Sequence, residues 1–141
     1  MSDYTKLIAD LEKAEAGSRE LDAKIALIGS PWLAECQPDA ERGVGHWLVP
    51  EGSRMNFGPS GPMPTYAEDY TTSLDAARTL VRPGAVWMVQ TDYELPGRAH
   101  ISIIPPGSVS PLNFDADAAT PELAMCSVAL RARQAEEEKN P

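Results

Sequence analysis

Apolar residues recur at helical spacing in four parts of the chain. Leu7, Ile8 and Leu11 form the first stripe, which predicts an amphipathic helix because residues three or four positions apart share one helix face. A polar residue able to cap a helix precedes each part, and Gly or Pro follows the first three. The predicted helices are Asp3–Ala16, Ser18–Ile28, Thr72–Val81 and a fourth that begins at Thr120.

The third and fourth helices have the most specific start signals. Thr72 and Asp75 fit a capping box, in which the hydroxyl and the acid each bond to the other residue's backbone amide. Thr120, Pro121 and Glu122 combine a hydroxyl cap, a proline at the first helical position and an acid in the first turn. These patterns predict helix starts at Thr72 and Thr120.

Strand signals lie between the third and fourth helices. Arg98–Ile104 alternates apolar and polar residues, and Ala85–Asp92 is rich in residues that favour strands. Their short link contains Pro and Gly, so we predict an antiparallel hairpin. Weaker signals predict that His46–Val49 pairs with Arg54–Phe57, and residues 105–119 are predicted to be a loop.

The order of these elements predicts an α+β fold. A small antiparallel sheet with one apolar face has to bury that face under helices, which gives a helix–sheet–helix layered sandwich. We predict a single domain over residues 1–135, with a Gly/Pro-rich insertion at about 30–65 and a frayed tail over 136–141. The apolar stripe of the first helix also suits a partner copy, so a homodimer through the N-terminal helices is predicted beside packing within one chain.

Composition narrows the location and the classes of partner. The chain has 141 residues, of which 43% are hydrophobic, and a formal net charge of −9. It has no apolar run long enough to span a membrane, and its N-terminus lacks the apolar segment of a secretory signal. An acidic balance disfavours binding to a phosphate backbone. We therefore expect a cytoplasmic protein, with no membrane contact and no direct nucleic-acid binding.

Cysteine and histidine are too few for a recognisable metal site. Cys36 and Cys126 lie in different predicted elements and are expected to be two buried thiols. His46 lies near Cys36, Asp39 and Glu41, but the spacing matches no zinc pattern and structural zinc needs four ligands. We therefore expect neither a metal nor a cofactor.

Known catalytic patterns are missing from the sequence. It contains no GxSxG, HExxH or P-loop motif, and the Gly-rich stretch Gly43–Gly52 lacks the preceding strand and following helix of a phosphate loop. Because no nucleophile with a base can be named, a non-enzymatic role is expected.

Five residues are the candidates for a binding site. Trp47, in an irregular segment, is expected to be exposed, with His46 beside it and Arg54 close by if the short hairpin forms. Arg98 and His100 share the polar face of a predicted strand, for which a solvated sheet face is the simpler interpretation. By contrast, a second indole in the apolar strand run, at position 87, is expected in the core.

Three stretches resemble a family of small phage proteins that carry the phage ABA sandwich domain. They are "RELDAKIALI" (Arg19–Ile28), the run from Tyr70 to Val81, and "ATPELAMCSVALRAR" (Ala119–Arg133). The resemblance spans most of the chain outside residues 30–64. It implies a helix–sheet–helix layered fold and a phage origin, and it brings no catalytic residues.

Two functions follow as expectations. The first is a phage-encoded binding protein that engages a host or phage protein, with an acidic counter-defence inhibitor as one version. The second is a binding protein for a small ligand such as a nucleotide signal, with Trp47, Arg54, Arg98 and His100 around a pocket.

Overall fold

The computed structural model describes residues 3–58, 60–90, 97–103 and 110–139. The chain divides into two compact units, Met1–Gly17 with Asp69–Pro141 and Ser18–Glu68. The predicted α+β fold class is confirmed, with two antiparallel sheets of three strands each in the described residues. The elements are α1 (Asp3–Lys13), α2 (Arg19–Gly29), β1 (Gln37–Pro38), β2 (His46–Val49), β3 (Met63–Tyr66), α3 (Leu74–Ala77), β4 (Val86–Gln90), β5 (Gly97–Ile103), β6 (Leu112–Ala118) and α4 (Pro121–Lys139), with short 3-10 turns at Pro31–Glu35 and Arg78–Leu80.

The first unit is built on a sheet with the strand order β4-β5-β6. Alternation along β5 puts Ala99, Ile101 and Ile103 on one face, where they are buried. Helix α4 packs across β5 and β6, so the core lies between this helix and that face. Its own buried apolar residues are Leu123, Ala124, Met125, Cys126, Val128, Ala129, Leu130 and Ala132.

Helix α1 packs against α4 within the same unit. Its predicted stripe of Leu7, Ile8 and Leu11 is buried, and the Arg131 guanidinium donates to Glu12 Oε2 at 2.6 Å beside it. Because α4 already covers the stripe, these apolar residues are not available to contact a second copy, as the predicted homodimer through the N-terminal helices requires.

The predicted hairpin in the first unit is confirmed, since β4 and β5 pair antiparallel. The predicted strand ends at Asp92 and Ile104 lie outside the described residues. The loop predicted over residues 105–119 is wrong in its described part, because Leu112–Ala118 pairs with β5 as β6. Asp is uncommon in strands, but Asp115 and Asp117 contact His100 and Arg98 on β5, which offsets the low propensity.

The indole of Trp87 is 38% exposed, so its predicted place in the core is wrong. Trp87 lies on β4, an edge strand of the described sheet, and its cross-strand neighbour there is Ile101. Ile101 is on the central strand and is buried. Burial of a strand residue depends on neighbours at both sides, which the local sequence does not specify.

The second unit joins α2 to a sheet with the order β1-β2-β3. The Ser18 hydroxyl caps α2 as predicted, accepting a hydrogen bond from its first turn. Arg19 donates to the carbonyls of Gly45 and Glu68 at 3.3 and 3.4 Å and pairs with the buried carboxylate of Asp22 at 3.1 Å. These contacts fix the start of α2 to the strand ends of the same unit.

Strand β2 forms where it was predicted, but its partner is different. It pairs with Met63–Tyr66 and not with Arg54–Phe57, which contains turns. Asn56, in the middle of the predicted strand, binds backbone carbonyls with its side chain instead, a competition typical of asparagine in turns.

The start of α4 is confirmed, and the start of α3 lies one residue later than predicted. Thr120 Oγ1 accepts from the Leu123 amide at 3.2 Å. For α3 the cap is Ser73, whose hydroxyl accepts from the Ala76 amide at 3.3 Å, and not Thr72. Thr72 and Ser73 are neighbours and both carry a hydroxyl, so the sequence does not distinguish which of them caps the helix.

The two cysteines are free and buried, as predicted. Burial raises the pKa of the Cys36 thiol, and the nearby negative charge of Glu35 raises it further. Cys126 donates to the carbonyl of Tyr70 at 3.2 Å. Over the described residues, no helix is both long and apolar enough to cross a membrane.

Candidate functional site

Two of the five candidate residues lie together on the outer face of the first unit's sheet. Arg98 Nε is 2.8 Å from Asp117 Oδ1, and His100 Nδ1 is 2.7 Å from Asp115 Oδ1. Each pair joins residues that face each other directly across β5 and β6. The contacts form a cross-strand ladder in which each cationic or imidazole group already has a carboxylate.

Such a ladder stabilises the sheet more readily than it recruits a ligand. All four side chains are at least partly exposed, and cross-strand pairs of this kind contribute about 0.2–1 kcal/mol each. An anionic ligand would compete with Asp115 and Asp117 for the same groups. This arrangement supports the simpler interpretation of a solvated sheet face for Arg98 and His100.

Trp47 is only 7% exposed, so the prediction of an exposed indole is wrong. Strand β2 is the central strand of its sheet, and Trp47 and Val49 share its buried side. His46 lies on the other side of β2, partly exposed, with its ring centroid 6.1 Å from that of Tyr66. Trp47 therefore serves the core, and only its neighbour reaches solvent.

The described residues of the β2–β3 connection, 50–58 and 60–62, form a loop that we call the Phe57 loop. The Asn56 amide is its hub, donating to Val49 O and Pro50 O at 3.2 Å each and to Gly61 O at 2.9 Å. Its carbonyl oxygen accepts from the Gly58 amide at 2.9 Å. One side chain thus ties the two ends of the loop together.

Further hydrogen bonds order the first half of the Phe57 loop. The backbone N–H of Ser53 donates to Pro50 O at 3.2 Å, and the backbone N–H of Asn56 donates to Ser53 O at 3.0 Å. The turn after Pro50 has Gly52 at φ +89°, a conformation that residues with a Cβ rarely adopt. These contacts restrict the backbone of residues 50–56 before any partner binds.

The Phe57 loop exposes two large apolar side chains. Phe57 is 82% exposed and Met55 39% exposed, and the charged candidate Arg54 lies exposed beside them. The sequence predicts a strand over Arg54–Phe57, but the structure places Phe57 in a loop. The signal that could have identified it is an asparagine next to an aromatic residue, between two turn-forming stretches, "PEGS" and "GPSGP".

A second ordered turn lies between β1 and β2. The buried Asp39 carboxylate accepts from the amides of Glu41 and Arg42 at 3.1 and 3.3 Å, and from the Arg42 guanidinium at 2.6 Å. The Arg42 hydrogen bond holds the pKa of Asp39 below its ordinary value. In the described residues, this side chain therefore organises a turn, and no cluster of His, Cys, Asp and Glu suits a metal ion.

The Asp39 turn predicts a defined loss of stability in acid. A carboxylate whose pKa is lowered by folding stabilises the protein above its unfolded-state pKa, near pH 4, and this contribution disappears as pH falls through the folded value. We expect Asp39→Asn to lower the free energy of unfolding at pH 7. The difference from the parent should shrink below about pH 4. Denaturant unfolding of both proteins from pH 7 to pH 2 tests this, and a difference that stays constant in acid would contradict it.

A cavity of about 350 Å³ lies between β6 and α4, and none of the five candidates lines it. Its lining residues are Asn113, Phe114, Asp115, Arg131, Gln134 and Ala135. The Arg131 guanidinium there already binds the Glu12 carboxylate. The charge of Arg131 is therefore already paired, and it does not favour an anionic ligand in this cavity.

Comparison with known proteins adds no relative. No protein-family model matches the chain, and neither the curated proteins nor the solved structures contain a match. The resemblance to phage ABA sandwich proteins stays a prediction.

Proposed function

We propose that this chain is a non-enzymatic, phage-encoded binding protein and that the Phe57 loop is the surface that contacts its protein partner. The observation that carries the proposal is the 82% exposure of Phe57 on a loop tied by four side-chain hydrogen bonds of Asn56. A large aromatic side chain held in water costs solvation free energy, and it regains about 25 cal/mol per Å² when a partner covers it.

The hydrogen bonds that hold the Phe57 loop also favour a binding role. A flexible loop would lose conformational freedom on binding, whereas a loop already held by Asn56 loses less. Aromatic residues at rigid positions are typical hot spots of protein interfaces. Loops on a folded scaffold also carry binding functions more often than the scaffold does.

The chemistry of the loop indicates the kind of partner. Phe57 and Met55 require an apolar pocket, and the exposed Glu51 and Arg54 place one charge of each sign beside them. The partner surface should therefore combine a pocket wide enough for a phenyl ring with a polar rim of mixed charge. By the phage resemblance, we seek this partner in the cytoplasm of a bacterial host.

The acidic-inhibitor version of this function gains no support from the described ion pairs. An acidic decoy needs carboxylates that face a partner unneutralised, whereas arginines already pair with Glu12, Asp22, Asp39, Asp75, Asp117 and Glu136. The Asp115 carboxylate contacts the His100 ring. The nucleotide-ligand alternative gains none either, because Trp47 is buried and carboxylates hold Arg98 and His100.

Photo-crosslinking tests the proposal directly. In the test variant a photoreactive amino acid replaces Phe57. In the control variant it replaces Glu20, an exposed residue of α2 in the same unit. In phage-infected cells we expect one discrete covalent adduct from position 57 that is absent from position 20, because only the loop faces the partner. The same adduct from both positions, or none from position 57, would refute the proposal.

A further inference from the structure

The sheet of the first unit has an apolar edge, strand β4, which belongs to a different unit from the Phe57 loop. Strand β4 pairs with β5 on one side, and no described strand pairs with its other side. Val86 is 71% exposed and Met88 50% exposed, and the strand contains no charged residue. An edge strand presents unpaired backbone N–H and C=O groups, so an apolar, uncharged edge favours pairing with another strand.

The opposite edge of the same sheet is protected, which shows how different β4 is. Strand β6 carries Asp115 and Asp117, both exposed. Two β6 strands paired about a two-fold axis through Asp115 would bring like charges face to face, and such pairs are destabilising. Charge therefore disfavours this self-pairing at β6, whereas β4 carries no charged residue that would oppose it.

We infer that β4 pairs antiparallel with β4 of a second copy of this chain, forming a continuous six-stranded sheet across a two-fold axis at Met88. Met88 is the middle residue of β4, so this register pairs all five residues. It places Trp87 opposite Val89 and Val86 opposite Gln90, and each residue stays on the same face of the sheet as its partner. No like charges meet within the pair.

The size and charge of the contact predict a weak dimer. One pair of five-residue strands buries less surface than a stable interface of about 1,200 Å² or more, so we expect a dissociation constant on the order of 10–100 μM. Each copy also carries a net charge of −9, and the resulting repulsion is screened by salt. Dimerisation should therefore strengthen as the salt concentration rises from about 0.05 to 0.5 M.

Sedimentation equilibrium of the full chain tests the inference with charge variants at the axis. Met88→Lys and Met88→Glu each place two like charges opposite one another in the dimer, so each variant alone should dimerise at least about tenfold more weakly than the parent. An equimolar mixture should dimerise again, because Lys then faces Glu. Thr72→Lys, at an exposed position of the same unit, is the matched control and should leave dimerisation unchanged.

Several outcomes would overturn the inference. A parent chain that stays monomeric at 0.5 M salt and about 1 mM, roughly ten times the upper end of the expected dissociation constant, would do so. Dimerisation that Met88→Lys does not weaken would place the contact elsewhere. Failure of the mixed variants to dimerise would contradict the register at Met88. Circular dichroism of each variant checks that it is folded.

Discussion

Gly97→Ala should destabilise the first unit by about 3 kcal/mol, because the new methyl group has no room. A Cβ at position 97 would lie against the carbonyl group of Thr120 and 2.8 Å from Pro121 N. These are backbone atoms, so a side chain cannot simply rotate away. Thr120 also caps α4 and accepts from the Ala124 amide at 3.0 Å, which means that relief of the clash shifts the start of the helix that covers the sheet.

Thermal unfolding measures this effect, and a matched variant separates it from the general effect of an added methyl group. A loss of about 3 kcal/mol lowers the midpoint by roughly 10 °C in a protein of this size. Gly58→Ala adds the same group where the nearest atom is Asn56 Oδ1 at 3.3 Å, and it should change stability by at most about 0.5 kcal/mol. Equal midpoints for the two variants would show that β5 and α4 do not approach as described.

Phe57→Ala should weaken binding of the crosslinked partner by about thirtyfold or more. A truncated interface hot spot costs about 2 kcal/mol or more, and each 1.4 kcal/mol corresponds to a factor of ten in the dissociation constant. The free protein should keep its stability, because Phe57 is 82% exposed and contributes little to the core. Glu20→Ala, in the same unit, should leave the affinity unchanged.

Titration calorimetry with the purified partner checks this prediction, together with the unfolding midpoint of each variant. A loss of affinity with an unchanged midpoint assigns the effect to the contact. An affinity that Phe57→Ala changes less than about threefold would mean that the partner contacts another surface, since hot-spot truncations exceed this change.

Much of the fold could be predicted from local patterns. The α2 and α4 starts at Ser18 and Thr120 follow from side chains that bond to the next turn, and such contacts depend on a few neighbouring residues. The β4–β5 hairpin follows from two adjacent strand signals with a short link. Strand β6 was missed because its aspartates have low strand propensity, and the residues that compensate lie on β5.

The candidate site was harder to predict, because exposure depends on strand order. Trp47 and Trp87 both lie in strands, yet Trp47 is on a central strand and buried while Trp87 is on an edge strand of the described sheet and partly exposed. Phe57 was likewise read as a strand residue. Its exposure depends on how Asn56 contacts Val49 and Gly61, several residues away on either side.

The central claim is that Asn56 holds the loop so that Phe57 can bind a partner, and a double-mutant cycle tests it most directly. Asn56→Asp keeps the side-chain shape and the acceptor for Gly58, but it points a carboxylate at the carbonyls that the amide now binds. Calorimetry with the crosslinked partner should give a roughly tenfold loss of affinity for Asn56→Asp alone. In the Phe57→Ala background the same change should cost almost nothing, because the two residues act through one contact. Equal losses in both backgrounds would contradict the claim.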